Sequence, residues 1–194
     1  MLLRWLNLAL ALRKARSTDP EARAASIDAL ADFGEPKAIA AIVAAFRDDS
    51  PLVRSRAADA MVRLRLLDPL RDALGDSDAA VRAEAADALG DLGDRRAVDA
   101  LVHALDDPVV AVRSTAAYAL GDLGDLRAVG RLTAMLEDHE PAARRIAAYA
   151  LGNLGDPSAI EKIMDAMADA DPEVRDAASS ALHKLEDGRT NERY

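Results

Sequence analysis

Arg82, Arg113, Arg144 and Arg175 stand 31 residues apart, and Arg23 to Arg54 repeats the same step; Arg54 to Arg82, at 28, departs from it. Around these arginines whole phrases return. The run Ala85-Ala86-Asp87-Ala88-Leu89-Gly90-Asp91-Leu92-Gly93-Asp94 recurs at Ala116 to Asp125 and at Ala147 to Asp156. Each is followed by a phrase of the form Ala-Val-x-x-Leu-x-x-Ala-Leu, as in Ala97 to Leu105. A period of this length marks an array of supersecondary units, each too small to bury its own apolar face. About six units tile the sequence: 19–49, 50–77, 78–106, 107–137, 138–168 and a partial 169–187. Residues 1–18 precede them as a capping helix and 188–194 follow as a polar tail.

Within a unit the pattern predicts two helices. Asp19-Pro20, Ser50-Pro51, Asp107-Pro108 and Asp171-Pro172 have the form of an N-cap followed by a first-turn proline. Val112, Ala116, Ala119, Leu120 and Leu123 then fall on one face at helical spacing. Glycines 34, 93, 124 and 155 come where that helix must stop in a left-handed turn. Asp94, Asp125 and Asp156 follow at the start of the second helix, where a carboxylate is favourable. The second unit lacks this Gly-Asp-x turn and is three residues shorter, so its bend is expected around Leu64 to Leu66, unless the helix runs on. Gly90, Gly121 and Gly152 read as sites of close helix packing.

Composition agrees. The chain has 194 residues, 44 of them alanine and only six aromatic, which favours closely packed helices over sheet. The absence of cysteine excludes a disulfide scaffold, a thiol nucleophile and cysteine-ligated metal. A net charge of −9 opposes a phosphate backbone, so no nucleic-acid partner is expected. The basic cluster Arg54, Arg56, Arg63 and Arg65 is read as solvated helix surface. The apolar run from Trp5 to Leu12 is far shorter than the roughly 20 residues a membrane span needs, and Arg13, Lys14 and Arg16 form the wrong flank for secretion. No stable membrane insertion is expected, and the location is read as cytoplasmic, with a membrane-surface helix as the other reading of this segment.

Asp171-Pro172-Glu173-Val174-Arg175 and the phrase Ala147 to Asp156 carry a resemblance. The chain resembles the HEAT-repeat superfamily, most closely its phycobilisome-lyase-like branch. That implies an all-α, right-handed α-solenoid of about six two-helix repeats, with the second helices lining a concave face. Deoxyhypusine hydroxylase resembles this architecture but holds two irons through His-Glu pairs. The matching positions here are Ala83-Glu84, Ser114-Thr115, Arg145-Ile146 and Asp176-Ala177, and His139-Glu140 lies in a turn and does not recur. The hydroxylase chemistry is therefore not expected, and no cofactor is. The lyase branch implies an alternative, a subunit that attaches linear tetrapyrroles. His103, His139 and His183 fall in the third, fifth and sixth units. Neighbouring helices stand about 8–10 Å apart, so these histidines cannot converge on one atom.

Two recurring features have structural readings. The periodic arginines can pair with turn carboxylates of their own or the adjacent repeat, forming a part-exposed ladder. Tyr118 and Tyr149, one repeat apart, should stand side by side as flank packing or a secondary partner contact, where other units carry Asp28, Asp59 and Asp87.

At about 100° per residue, positions equivalent to 99 and 103 point away from the second helix's core side, with 102 on its flank. These columns run Ala40, Asp68, Asp99, Gly130, Glu161; Ala44, Asp72, His103, Ala134, Asp165; and Val43, Arg71, Val102, Thr133, Met164. They vary between units while the core positions do not. The expected function is a non-catalytic scaffold gripping a protein or peptide through Val43, Ala44, Arg71, Asp99, Val102, His103, Arg131, Thr133, Met164 and Asp165.

Overall fold

The computed structural model describes residues 2–191, which form an all-helical α-solenoid. After α1 (Leu2–Lys14), long first helices alternate with short second helices. The first helices are α2 (Pro20–Phe33), α4 (Pro51–Arg63), α6 (Ala79–Leu92), α8 (Val110–Leu123), α10 (Pro141–Leu154) and α12 (Pro172–Asn191). The second helices are α3 (Pro36–Ala45), α5 (Leu67–Ala73), α7 (Val98–Ala104), α9 (Val129–Met135) and α11 (Ile160–Ala166). Single 3-10 turns at Arg95–Ala97, Leu126–Ala128 and Pro157–Ala159 lead into the last three. The chain divides into two compact units, Met1–Ala88 and Leu89–Tyr194.

The expected core faces are the observed ones. Val112, Ala116, Ala119, Leu120 and Leu123 of α8 are buried, as are Val98 and Leu101 of α7 and Leu105 at its end. In the first unit Ile27, Leu30, Ile42, Phe46 and Met61 fill the same role. Alanine supplies the spacing. A methyl group added at Gly90 would lie 2.9 Å from the Cβ of Ala119, and one at Gly121 would lie 2.9 Å from the Cα of Ala150. Gly152 stands in the same relation to Ala181. These contacts are below the separation at which carbons attract, so glycine at these positions sets how near successive first helices come.

The turns follow the sequence with three differences. Gly34, Gly93, Gly124 and Gly155 have φ of +62°, +68°, +64° and +72°, the left-handed stop that glycine adopts without a Cβ penalty. Asp94, Asp125 and Asp156 accept the N–H groups of Arg96, Arg127 and Ser158 across the following 3-10 turns. In the shortened second repeat the bend does fall around Leu64 to Leu66, but its left-handed residue is Arg65, with φ +55°. Asp107-Pro108 does not open a helix: α8 begins at Val110 behind Val109, and the Asp107 carboxylate accepts the Val109 N–H in the preceding turn. The reason is register, since Asp171 precedes its arginine by four residues and Asp107 precedes Arg113 by six. Helix α12 continues through Asn191, so residues 188–191 of the expected polar tail are helical, and 192–194 lie outside the described residues.

Candidate functional site

The periodic arginines do pair with turn carboxylates of their own or the adjacent repeat, and each also clasps its own turn. Each places Nη1 on two backbone carbonyls of its own turn: Arg113 donates to Asp107 O (2.9 Å) and Pro108 O (3.3 Å), and Arg144 to Asp138 O (2.8 Å) and His139 O (3.3 Å). Arg23, Arg54, Arg82 and Arg175 do the same at their turns. At Arg23, Arg113 and Arg144 the rest of the guanidinium also reaches forward to the next turn. Arg23 meets Asp48, Arg113 meets Asp138 and Arg144 meets Asp169, each by paired bonds of 2.7–2.9 Å. The receiving aspartate also accepts the N–H two residues on, from Ser50, Glu140 and Asp171 respectively.

Burial varies among these arginines. Arg23, Arg82 and Arg144 are half-exposed and Arg175 exposed, whereas Arg54 is 7% exposed and Arg113 5%, which corrects the part-exposed expectation for those two and the reading of Arg54 as surface. Turn carboxylates were the expected partners, but the particular aspartates were not singled out, although Asp48, Asp76, Asp107, Asp138 and Asp169 recur at the arginines' own steps of 28 and 31. Burial alone would raise the Asp138 carboxyl, but the Arg113 bonds and the Glu140 N–H outweigh it and hold it below the usual carboxylate range. Arg144 does the same for Asp169. The shortened second repeat is wired differently. Asp76 takes Arg47 at 2.6 Å, and Arg54 turns to Glu84 at 3.2 Å. Desolvation raises the Glu84 carboxyl despite that pairing.

The second helices of Leu89–Tyr194 turn varied side chains outward. Asp99, His103, Arg131, Met164 and Asp165 are exposed, and Val102 and Thr133 half-exposed. Ionic ties bind several of them. Arg127 lies 3.0 Å from Asp99 and grips Asp125, which its hydrogen bonds and backbone N–H lower to about 2. Arg131 pairs with Asp106, and Lys162 with Glu137 at 3.1 Å. Arg131 thus faces solvent as half of an ion pair rather than as a free cation. His103 Nδ1 donates to the Asp99 carbonyl within its own helix at 2.6 Å. In the first unit Val43 is half-exposed, Ala44 exposed, and Arg71 lies 3.7 Å from Asp68.

On the first helices of Leu89–Tyr194 the two tyrosines do meet. The rings of Tyr118 and Tyr149 are stacked, 5.4 Å apart and 2° from parallel, with Lys184 Nζ 4.9 Å from the Tyr149 centroid. A groove of about 340 Å³ opens beside Tyr149, Arg145 and Lys184. Among the described residues no three His, Cys, Asp or Glu side chains are grouped to hold a metal ion, and no helix is long and apolar enough to cross a membrane.

The sequence profile of HEAT repeats matches residues 8–67, 67–145 and 130–191. The chain belongs to the HEAT-repeat family. Among solved structures, this HEAT-repeat protein is similar to the complex of CpcE and CpcF of phycocyanin lyase from Nostoc sp. PCC7120. That likeness is 26% identical with a TM-score of 0.68, covering 76% of this chain and 99% of that one. It also matches an engineered protein, 22% identical with a TM-score of 0.61, over 93% of this chain and 97% of that one. A designed armadillo repeat protein in complex with the peptide (KR)4 is 19% identical with a TM-score of 0.62, over 92% and 99%. The last two likenesses show the fold alone. Among curated proteins compared by sequence, none matches.

Proposed function

We propose that this HEAT-repeat protein is a non-catalytic interaction module, and that the second-helix face of Leu89–Tyr194 grips a protein or peptide segment. One observation carries this reading: equivalent outward positions differ in chemistry from repeat to repeat while inward ones barely change. Leu101, Leu132 and Ile163 are fully buried. Val102, Thr133 and Met164 stand beside them partly or wholly exposed, as do His103, Ala134 and Asp165. Stability alone does not require such variety on a solvated face. Met164 and Val102 supply apolar anchors, and the surrounding carboxylates and paired cations supply a polar rim. A double variant, Val102→Asp with Met164→Asp, tests this. Both side chains are off the core, so circular dichroism should be unchanged while affinity for captured partners falls about ten-fold or more. Unchanged capture would remove this face from consideration.

A second reading is favoured by the similarity to the phycocyanin lyase complex and by the stacked tyrosines beside Arg145 and Lys184. In it the protein is a subunit of a tetrapyrrole-attachment factor, with the tyrosine faces bearing the ring system and the cations its propionates. Mixing with a linear tetrapyrrole tests it. An intensified, shifted absorption that survives gel filtration and is lost in Tyr149→Ala supports this role; an unchanged spectrum removes it.

A further inference from the structure

Helix α1 is two-sided in a way that its packing does not explain. Leu8 and Ala11 are buried. On the opposite side Leu3, Leu6 and Leu10, at spacings i, i+3 and i+7, are 76%, 66% and 47% exposed, with Trp5 on the flank at 61%. A helix that only capped the array would carry polar residues there.

Charge says what covers this stripe. The first 16 residues hold Arg4, Arg13, Lys14 and Arg16 and no acidic residue, in a chain of net charge −9. Arg4 is engaged by the Phe33 carbonyl and Glu35. Arg13 and Lys14 continue the exposed leucine face at its C-terminal end, and all three remaining cations are exposed. A second copy meeting the stripe would bring the same four cations and no acid from its own α1 to answer them. An anionic bilayer offers both an apolar boundary and negative charge, and asks for no complementary groove in return. At 13 residues the helix is roughly 20 Å long, short of the ~30 Å hydrocarbon core, so it can only lie in the interface.

We propose that α1 docks this protein on an anionic lipid surface. Leu3, Leu6 and Leu10 enter the acyl boundary, Trp5 sits at headgroup level, and Arg13, Lys14 and Arg16 meet lipid phosphates. Leu8 and Ala11 keep their packing because they lie on the other side of the helix.

Trp5 is the single tryptophan of the chain, so its emission reports this contact directly. The full chain is titrated with phosphatidylcholine vesicles, with and without phosphatidylglycerol, and the vesicles are then floated. We expect a blue shift and co-flotation with the anionic vesicles, weakened by salt and absent with phosphatidylcholine alone. Leu6→Asp with Leu10→Asp should abolish both signals at unchanged circular dichroism, and Arg13→Glu with Lys14→Glu should weaken binding about ten-fold or more. The proposal is overturned by no shift on anionic vesicles, or by binding that survives the leucine variant. A blue shift that grows with protein concentration in the absence of lipid also overturns it, assigning the stripe to a second copy. An equal shift on soluble polyglutamate overturns it in favour of an acidic polypeptide.

Discussion

Arg113 and Arg175 occupy the same position in their repeats and have different surroundings. Arg113 is buried, with its whole guanidinium bonded to Asp138 and to the Asp107 and Pro108 carbonyls. Arg175 is exposed and holds the carbonyls of Asp169 and Ala170. Removing one partner of a buried pair strands the other, so Arg113→Ala should cost about 3 kcal/mol in urea unfolding, against about 1 kcal/mol or less for Arg175→Ala. Arg113→Lys should recover little, because a single ammonium cannot span both carboxylate oxygens and both carbonyls. Arg65 gives the opposite sign. It sits at φ +55° on the surface, where a Cβ is strained, so Arg65→Gly should stabilise by about 0.5–1 kcal/mol in the same assay. The period of the arginines was legible from spacing alone. Their burial was not, because it depends on an acid distant in sequence that closes over the guanidinium, Asp138 for Arg113 and Glu84 of α6 for Arg54. The surface reading of Arg54 failed for that reason: nearby arginines in sequence look alike whether they point outward or into a turn.

Helices show where a period reports packing and where it does not. Gly121 and Gly130 are both helical, yet a methyl at Gly121 would strike the Ala150 backbone at 2.9 Å while one at Gly130 meets nothing within 4 Å. Alanine gains about 1 kcal/mol over glycine in a helix, and overpacking costs about 1–3 kcal/mol. Gly130→Ala should therefore raise the thermal midpoint and Gly121→Ala lower it, as differential scanning calorimetry can measure. The sequence phrase identified Gly90, Gly121 and Gly152 as close-packing sites because they lie one step beyond Leu89, Leu120 and Leu151, and the left-handed stops because glycine recurs where the helix must end. It did not reveal the 3-10 turns at Arg95–Ala97, Leu126–Ala128 and Pro157–Ala159, whose apolar spacing is too short to distinguish from an α-helical start. Nor did it reveal that Asp107-Pro108 stops one residue short of α8, which begins at Val110. An Asp-Pro pair serves a turn as well as a cap, and its distance from the arginine, rather than its identity, separates the two.

Across the molecule the carboxylates set the response to acid. Asp48, Asp76, Asp125, Asp138, Asp156 and Asp169 are all lowered, Asp125 to about 2. Below about pH 4 the unfolded chain takes up protons that the folded chain refuses. Stability conferred by these groups is thus complete above that pH and lost as pH falls through their lowered folded-state values, which for Asp125 is about 2. Glu84, raised by burial, has the opposite sign and offsets part of the loss. Thermal melts should show a nearly constant midpoint from pH 7 to about 5 and a steep decline below about 4. A midpoint flat to about pH 2 would show that the clasps hold their protons no differently from the unfolded chain. The architecture was legible at this scale because dozens of positions repeat, whereas the partner-facing columns were legible only as variation, which marks a surface without saying what it meets. The clasp also bears on how such a chain lengthens. Each arginine carries its carbonyl acceptors in its own turn and can find a carboxylate in the next. Duplicating 31 residues therefore copies both the reaching group and the receiving group. Whole units can be gained or lost by recombination without orphaning a buried cation, whereas a loss of three residues obliges the arginine to recruit another acid, as Arg54 does with Glu84.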